Sequence, residues 1–421
     1  MTAQRITQAT AAVGGLLLAI IGACFVEGFD VNEGAGGTTT STGTTGGGGT
    51  AGSGGTQTCS HATWPGPPAT ADPGPDDVEF VVAARSIDFG EVDLSVGPAV
   101  GFDLDGRCTC QGEGDSCNEP DWASADHCDG PGGRDNAIAQ LFHDLGAVDA
   151  DFTSAHYTET AEQGEDSLLL RVRDYNGQPN DDQVTVSLHP SEGTDDDPCN
   201  PPGTQPDWDG SDLWSINAAS LNGTSSGAGA GGSGPGGAGS GGGGGTGGQT
   251  VSCGHNGYDI DDARYVDENA YVTDGTLVAS LPEVALEFTS GDDNLPVVLK
   301  AGFLAARLEQ EGSSWSLRDG LVVGRWTLAE FFKMIGSITA QHEPICTDTS
   351  VYSLLKHALC QYPDIASELV GPTEPCDALS FAMRVEAYPA QIGSVLPAFQ
   401  SARLCPAETD PMFDSCEPTP D

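Results

Sequence analysis

Residues 281–323 read LPEVALEFTSGDDNLPVVLKAGFLAARLEQEGSSWSLRDGLVV. Short runs rich in Val, Leu and Ala alternate in this stretch with Gly, Asp, Asn and Pro, which end strands and form turns. The pair Asp319-Gly320 is typical of the tight turn of a hairpin. The stretch therefore predicts several short strands, each antiparallel to its neighbour in the chain.

The same pattern of short apolar runs continues on both sides of this stretch. Further strands are predicted at residues 78–89, 99–105, 168–172, 184–188, 212–217 and 379–385. Regular helical segments do not separate the runs, so alternating βα units are not expected. We therefore predict a mainly β fold: an antiparallel, disulfide-rich β-sandwich of the jelly-roll type that carries a few short helices.

Three segments have the apolar spacing of an amphipathic helix. The first covers residues 138–145, with Asp135 placed to cap it and Gly146 placed to end it. The second opens with a capping box at residues 327–330. The third covers residues 351–360, where apolar side chains recur on one face.

The amino-terminal segment has the features of an export signal. Residues 1–23 contain one charged side chain, Arg5, and an apolar run that is too short to span a bilayer. The run ends in Ile-Gly-Ala-Cys24, which resembles a bacterial lipoprotein signal, in which the Cys is lipidated and becomes the new amino terminus. The resemblance implies a lipid anchor at Cys24 and a location at the outer membrane or cell surface. An ordinary secretory signal is the alternative.

The cysteine count agrees with export. Thirteen cysteines minus Cys24 leave twelve, an even number, and the chain has no Cys-x-x-Cys motif of the kind that holds zinc. We therefore predict disulfides among these residues and leave the pairing open. They are Cys59, Cys108, Cys110, Cys117, Cys128, Cys199, Cys253, Cys346, Cys360, Cys376, Cys405 and Cys416.

Two Gly-rich tracts divide the chain, and their composition cannot bury a core. Residues 24–77 are predicted to form a flexible tether. Residues 78–416 then form the β-domain, interrupted by a disordered Gly-rich insertion at 223–252 and followed by a tail at 417–421. The second tract also fits a linker between two domains, and the sequence leaves this alternative open.

The chain is strongly acidic, with 62 Asp and Glu against 15 Lys and Arg and a formal net charge of -47. Such a chain does not bind nucleic acid or an anionic lipid surface through a general electrostatic attraction. The charge favours cations as ligands.

Acidic residues with the spacing of a cation site lie in three segments. The first holds Asp103 and Asp105, which share one face if the segment is a strand and form part of an Asp-x-Asp-Gly fragment common in calcium loops. Two later turns supply further oxygen side chains, which are also ordinary turn formers and helix caps. The predicted calcium ligands are Asp103, Asp105, Asp129, Asp135, Asn136, Asn180 and Asp181.

The sequence gives little support for catalysis. It contains no His-Glu-x-x-His motif, no P-loop and no Gly-x-Ser-x-Gly motif outside the Gly-rich tracts. Glu283 and Glu287 share a strand face but stand about 13 Å apart, farther than the carboxyl pair of a glycosidase. The alternative to a non-catalytic protein is an exported, glycosidase-like hydrolase that uses the acidic loops.

Several aromatic side chains stand in polar surroundings, as they do on sugar-binding surfaces. They are Trp122, Tyr175, Trp208 and Trp214. The competing interpretation places them at the edge of a small disulfide-rich core.

Four short motifs resemble a group of uncharacterised secreted lipoproteins from myxobacterial-type genomes. They are residues 101–110 (GFDLDGRCTC), 128–137 (CDGPGGRDNA), 317–326 (LRDGLVVGRW) and 376–380 (CDALS). The resemblance implies one continuous architecture over residues 78–390 but no activity, because the group has none assigned. Together these features predict a lipid-anchored binding or envelope-structural module with a glycan or an envelope protein as its partner.

Overall fold

The computed structural model describes residues 59–92, 94, 97–118, 128–146, 153–195, 203–223, 254–290, 293–340, 343–368, 372–398 and 404–416. The predicted signal, Cys24 and most of both Gly-rich tracts lie outside these residues. The strands are β1 (Val78–Asp88), β2 (Ser167–Tyr175), β3 (Asp181–Ser191), β4 (Leu213–Asn217), β5 (Val266–Thr273), β6 (Thr276–Ser290), β7 (Asp293–Glu311), β8 (Ser314–Thr327), β9 (Thr339–Ala340), β10 (Glu343–Pro344) and β11 (Ala378–Leu396). The helices are α1 (Ala137–Gly146), α2 (Ser154–Gln163), α3 (Leu328–Ile335) and α4 (Ser350–Leu359), with 3₁₀ turns at Ala218–Ser220 and Pro411–Phe413.

Eight strands form one closed antiparallel barrel. Their order is β1-β2-β3-β5-β6-β7-β8-β11, and β11 pairs back with β1 from Val81↔Ala390 to Asp88↔Arg384. The predicted β-sandwich is therefore wrong, whereas the mainly β character is confirmed. Closure leaves none of these eight strands as an open edge with unpaired backbone groups.

Part of the barrel wall is buried on both faces. In β2, Leu168 and Leu170 point into the main core, whereas Leu169 packs in a second core outside the barrel wall. β4 covers this outer core: it runs parallel to the end of β11 and buries Trp214 and Ile216 completely. Apolar residues are therefore continuous in β2, whereas in β6 and β7 buried residues largely alternate with more exposed ones.

Strands on both sides of the second Gly-rich tract belong to the same barrel. β3 precedes the tract and pairs with β5, which follows it. Leu221, just before the tract, forms a bridge with Ala263 beyond it. The two flanks therefore share one sheet.

Two local predictions differ from the structure. Residues 99–105 form a loop rather than a strand. Asp319 does not form the predicted hairpin turn but lies inside β8, with a φ of 50°, next to shifts in the pairing register. The turn between β7 and β8 lies at Gly312, whose φ is 64°. Asp319-Gly320 therefore forms an irregularity within a long strand, because pairing with β7 and β11 continues past it.

The three predicted helices form, as α1, α3 and α4. Thr327 caps α3 by accepting a hydrogen bond from the Glu330 amide, as the capping box predicts. At α1, Asn136 rather than Asp135 accepts from the first-turn amide of Ala139. Helix α2 was not predicted. Among the described residues, no helix is both long and apolar enough to cross a membrane.

An outer layer formed by residues 59–77, 97–118 and 128–136 packs against the barrel. Trp64 stacks on Phe303 of β7 at 4.0 Å between ring centroids, and the Asp72 amide donates to Asn180 O over 2.8 Å. These contacts place residues 59–77 with the β-domain rather than with the tether.

Disulfides fasten this layer, which confirms the prediction of disulfide bonds. Five lie within the described residues, and Cys199 and Cys253 lie outside them. The pairs are Cys59–Cys108, Cys110–Cys128, Cys117–Cys376, Cys346–Cys405 and Cys360–Cys416.

Candidate metal centre

A tight turn brings Asp103 and Asp105 together. Asp103 Oδ1 accepts hydrogen bonds from the amides of Gly106 (2.6 Å) and Arg107 (3.2 Å), and Asp105 Oδ1 accepts from Arg107 (2.8 Å). The two carboxylates therefore converge through an Asx turn and not by sharing one face of a strand.

Asp135 joins the Gly-rich loop 128–136 to this turn. Its amide donates to Phe102 O over 3.0 Å, and its Oδ2 accepts from the Leu104 amide over 2.6 Å. Carboxylate oxygens of Asp103, Asp105 and Asp135 lie within 4.8 Å of one another, and we name these three residues the aspartate triad. Asp103 is 6% exposed and Asp135 is 3% exposed, so the triad lies largely below the surface.

Glycines allow the close approach of the segments around the triad. A Cβ at Gly130 would lie 1.7 Å from Pro98 O, and one at Gly133, whose φ is 70°, would lie 2.5 Å from Arg107 O. The Gly-rich sequence of this loop is therefore required by packing.

Burial and repulsion between negative charges disfavour the charged forms of Asp105, Asp129 and Asp135. Burial raises the pKa of Asp135 well above its usual range, and the negative charges of Asp105 and Asp129 raise it further. Burial raises the pKa of Asp105 too, and it raises that of Asp129 to about 7. A bound cation would offset this concentration of negative charge.

Arg325 of β8 lies beneath the triad and supplies part of the opposing charge. It is 4% exposed, and its Nη2 donates to Leu104 O over 2.6 Å. No carboxylate of the described residues forms an ion pair with it at 4.0 Å or less. The guanidinium thus attracts the carboxylates only from a distance.

His61 is a neighbour of the triad that the sequence did not reveal, because it lies in the segment assigned to the tether. Its Nδ1 contacts Asp103 Oδ2, and its Nε2 lies 3.7 Å from Glu113 Oε1. The hydrogen bond with Asp103 raises the pKa of His61. A sulfur of Cys108 completes a potential His-Cys-Glu ligand set, but it is bonded to Cys59 and is therefore not a thiolate ligand.

Of the other predicted ligands, one lies near the aspartate triad and others lie elsewhere in the fold. The charge of Asp129 raises the pKa of Asp135, and the charge of Asp105 raises that of Asp129, so Asp129 lies near the triad. Its Oδ2 accepts from the Thr109 amide over 2.6 Å. Asn180 and Asp181 bond instead at the β2–β3 turn, to Asp72, Asn176 and neighbouring amides, and the structure does not bring them to the triad.

Asn136 has a different role from the one predicted. Its Nδ2 donates to Phe89 O and Val100 O, and its Oδ1 accepts from the amides of Ala139 and Ala382. Every polar atom of the side chain is thus used by the backbone, and none remains for an ion.

A second carboxylate cluster lies at the barrel wall near the end of β3. Asn217 Nδ2 donates to Glu192 Oε1 over 3.3 Å and to both oxygens of Glu287 over 3.1 and 3.0 Å. Glu283, its neighbour on β6, instead pairs with Lys300 and with Arg264. The sequence did not reveal this cluster, because its members lie on separate strands.

A cavity beside Glu287 has a volume of about 20 Å³. Its walls are mainly apolar and include Leu168, Leu286 and Phe288. This volume holds about one water molecule and is far too small for a sugar ring. The geometry therefore does not favour a glycosidase at Glu287.

Three of the four aromatic residues considered for sugar binding lie in the core or pack against it. Trp214 and Tyr175 are 0% and 2% exposed, and Trp208 packs on Trp214 with ring centroids 5.3 Å apart. Trp122 lies outside the described residues.

Comparison with protein-family models, curated proteins and solved structures finds no match to this chain. The resemblance to secreted myxobacterial lipoproteins therefore stays a prediction from short motifs.

Proposed function

We propose that this protein is a lipid-anchored, non-catalytic module of the cell envelope whose outer layer is stabilised by a calcium ion at the aspartate triad. The observation that carries the proposal is the convergence of three carboxylates within 4.8 Å from two loops that the Cys110–Cys128 disulfide joins. Calcium prefers carboxylate and carbonyl oxygens, and both are present here.

The ion would act as a cross-link. Asp103 and Asp105 belong to the turn that follows Phe102, which packs against Trp64, whereas Asp135 lies two residues before α1. A cation bound to all three would join these segments and reduce the repulsion among their charges. Because binding favours the folded state only, it would raise stability in proportion to the logarithm of the calcium concentration.

The test is thermal unfolding of the oxidised protein in calcium chloride, in magnesium chloride and in a chelator. We expect calcium at about 100 times its Kd to stabilise the native protein by about 2.7 kcal/mol, which raises the Tm by several degrees. Magnesium is expected to have a smaller effect, because it demands a stricter octahedral geometry.

Asp135→Asn is the informative variant, because the amide keeps the shape of the side chain and an oxygen to accept from Leu104. We expect it to fold and to lose the calcium-dependent rise in Tm. Asp182→Asn, at an exposed carboxylate, is the matched control and should keep the rise. A wild-type Tm equal in calcium and in chelator would refute the calcium site.

A further inference from the structure

One amide group serves two carboxylates at the end of β4. Asn217 is fully buried, and its single Nδ2 donates to Glu192 and to Glu287 at distances of 3.0 to 3.3 Å. Its Oδ1 accepts from the Ala219 amide over 2.8 Å and so caps the 3₁₀ turn Ala218–Ser220. The same side chain therefore binds the barrel on one side and orders the turn on the other.

This arrangement lies where an added strand meets the barrel wall. β4 is outside the closed barrel. It pairs with the end of β11 and, through a bridge between Thr194 and Trp214, with the segment that follows β3. Glu192 belongs to that segment, whereas Glu287 belongs to β6. Asn217 thus also connects the end of β4 to β6, a strand that makes no backbone ladder with β4.

The groups that face Glu287 are acidic or neutral. Glu192 and Asp166 act on it with negative charge, Asn217 bonds to it, and Tyr265 lies close enough to be affected by it. Lys300 and the guanidinium of Arg264 pair with Glu283 instead. Within the described part of the chain, neither Glu192 nor Glu287 forms an ion pair.

Such a cluster binds a proton more tightly than an isolated carboxyl group does. Burial, followed by the charge of Glu192, raises the pKa of Glu287 to about 7, and burial raises the pKa of Glu192 as well. When Glu192 and Glu287 together hold one proton, one carboxylate and one neutral carboxylic acid share the Asn217 amide. After that proton is lost, two partly buried negative charges lie against one another.

We propose that Glu192, Asn217 and Glu287 form a proton-operated latch that holds the end of β4 and the following turn on the barrel at acidic pH and releases them as the pH rises through neutrality. The direction of this pH dependence follows from the linkage between proton binding and closure. A carboxyl group that binds its proton more tightly in the closed form stabilises that form fully below its ordinary titration range, and this stabilisation is lost as the pH rises. The latch is separate from the aspartate triad and does not depend on a cation there.

The test is hydrogen exchange of the backbone over residues 213–222 in the full chain from pH 5 to 8.5, corrected for the intrinsic pH dependence of exchange. We expect the equilibrium constant for opening of this segment to rise by up to about tenfold per pH unit and to level off above pH 7, because opening is coupled to the release of one proton. Segments such as β7 should show no such additional dependence.

Glu287→Gln keeps the shape of the side chain and an oxygen for the Asn217 amide, so we expect it to remove the pH dependence. Glu192→Gln is a second variant with the same expectation. Glu283→Gln removes a negative charge from the same strand, but at a residue that pairs with Lys300. It should therefore keep the wild-type pH dependence. A wild-type opening equilibrium that does not change with pH would overturn the proposal, as would an unchanged profile in both latch variants.

Discussion

At the scale of single residues, Asn136 shows how strongly burial determines a role. It is 3% exposed and joins four backbone groups: those of Phe89 and Val100 through Nδ2, and those of Ala139 and Ala382 through Oδ1. Without the side chain, buried backbone groups would lose a hydrogen-bond partner, and a buried unsatisfied polar group is costly. Asn136 therefore connects α1 to β11 and to the segments around residues 89 and 100.

Removal of this side chain should be strongly destabilising. We expect Asn136→Ala to lower the free energy of unfolding by about 2–4 kcal/mol, because several buried backbone groups lose their partner. Urea unfolding at a fixed calcium concentration measures the change. Asn269→Ala, at an exposed position in β5, should change stability by less than about 0.5 kcal/mol. Equal stability of the two variants would contradict this role of Asn136.

The sequence predicted part of the candidate site at this scale. Asp103, Asp105 and Asp135 were found because carboxylates at short spacing beside glycines are a local signal. His61 and the Glu192–Glu287 pair were not found, because their neighbours come from segments that are distant in the chain. For the same reason Asn180 and Asp181 were wrongly grouped with the triad: acidic turns look alike in sequence, and only the fold shows which of them meet.

At the scale of elements, the disulfides differ in the length of chain that they close. Cys117–Cys376 spans 259 residues and joins the outer layer to the start of β11, whereas Cys110–Cys128 spans 18 residues within that layer. A cross-link restricts the unfolded chain more when the loop is longer.

Removal of the two disulfides in turn should reveal this difference. In the chain-entropy model, the double substitution Cys117→Ser with Cys376→Ser costs about 5.5 kcal/mol, and Cys110→Ser with Cys128→Ser costs about 3 kcal/mol. Guanidinium unfolding without reductant measures both. A larger cost for the shorter loop would show that native packing, rather than chain entropy, governs the effect.

Strands and helices were predictable where their signal is local. Apolar runs gave the positions of β1, β2, β3 and β11, and capping residues gave the start of α3. Helix α2 was missed because it buries few side chains, Tyr157 and Ala161, and therefore has little apolar periodicity. The loop at residues 99–105 was assigned to a strand because its apolar side chains alternate, although they pack against the outer wall of the barrel.

At the scale of the whole molecule, the predicted anchor and the folded domain are joined by a segment that ends near the aspartate triad. The first described residue is Cys59, which is bonded to Cys108 beside Asp103 and His61. In the proposed arrangement the chain from the anchor enters the folded domain at the outer layer.

Replacement of the proposed lipidation site tests this arrangement. With the full amino-terminal segment expressed in a Gram-negative bacterium, we expect the wild-type chain to partition into the detergent phase of Triton X-114. Cys24→Ser should move it to the aqueous phase, because a free amino terminus carries no acyl chains. Phe25→Ser should leave the partition unchanged, and detergent partition of the Cys24→Ser chain would contradict lipidation.

The sequence by itself determined the features that depend on neighbouring residues: the mainly β character, three helices, the disulfide-rich composition and the three aspartates of the candidate site. Only the tertiary structure decided that the sheet closes, that residues 59–77 pack against it, and that Asn217 joins two glutamates. Closure depends on the pairing of β1 with β11, which lie about 300 residues apart in the chain. Open and closed sheets bury similar apolar runs, so local patterning cannot distinguish them.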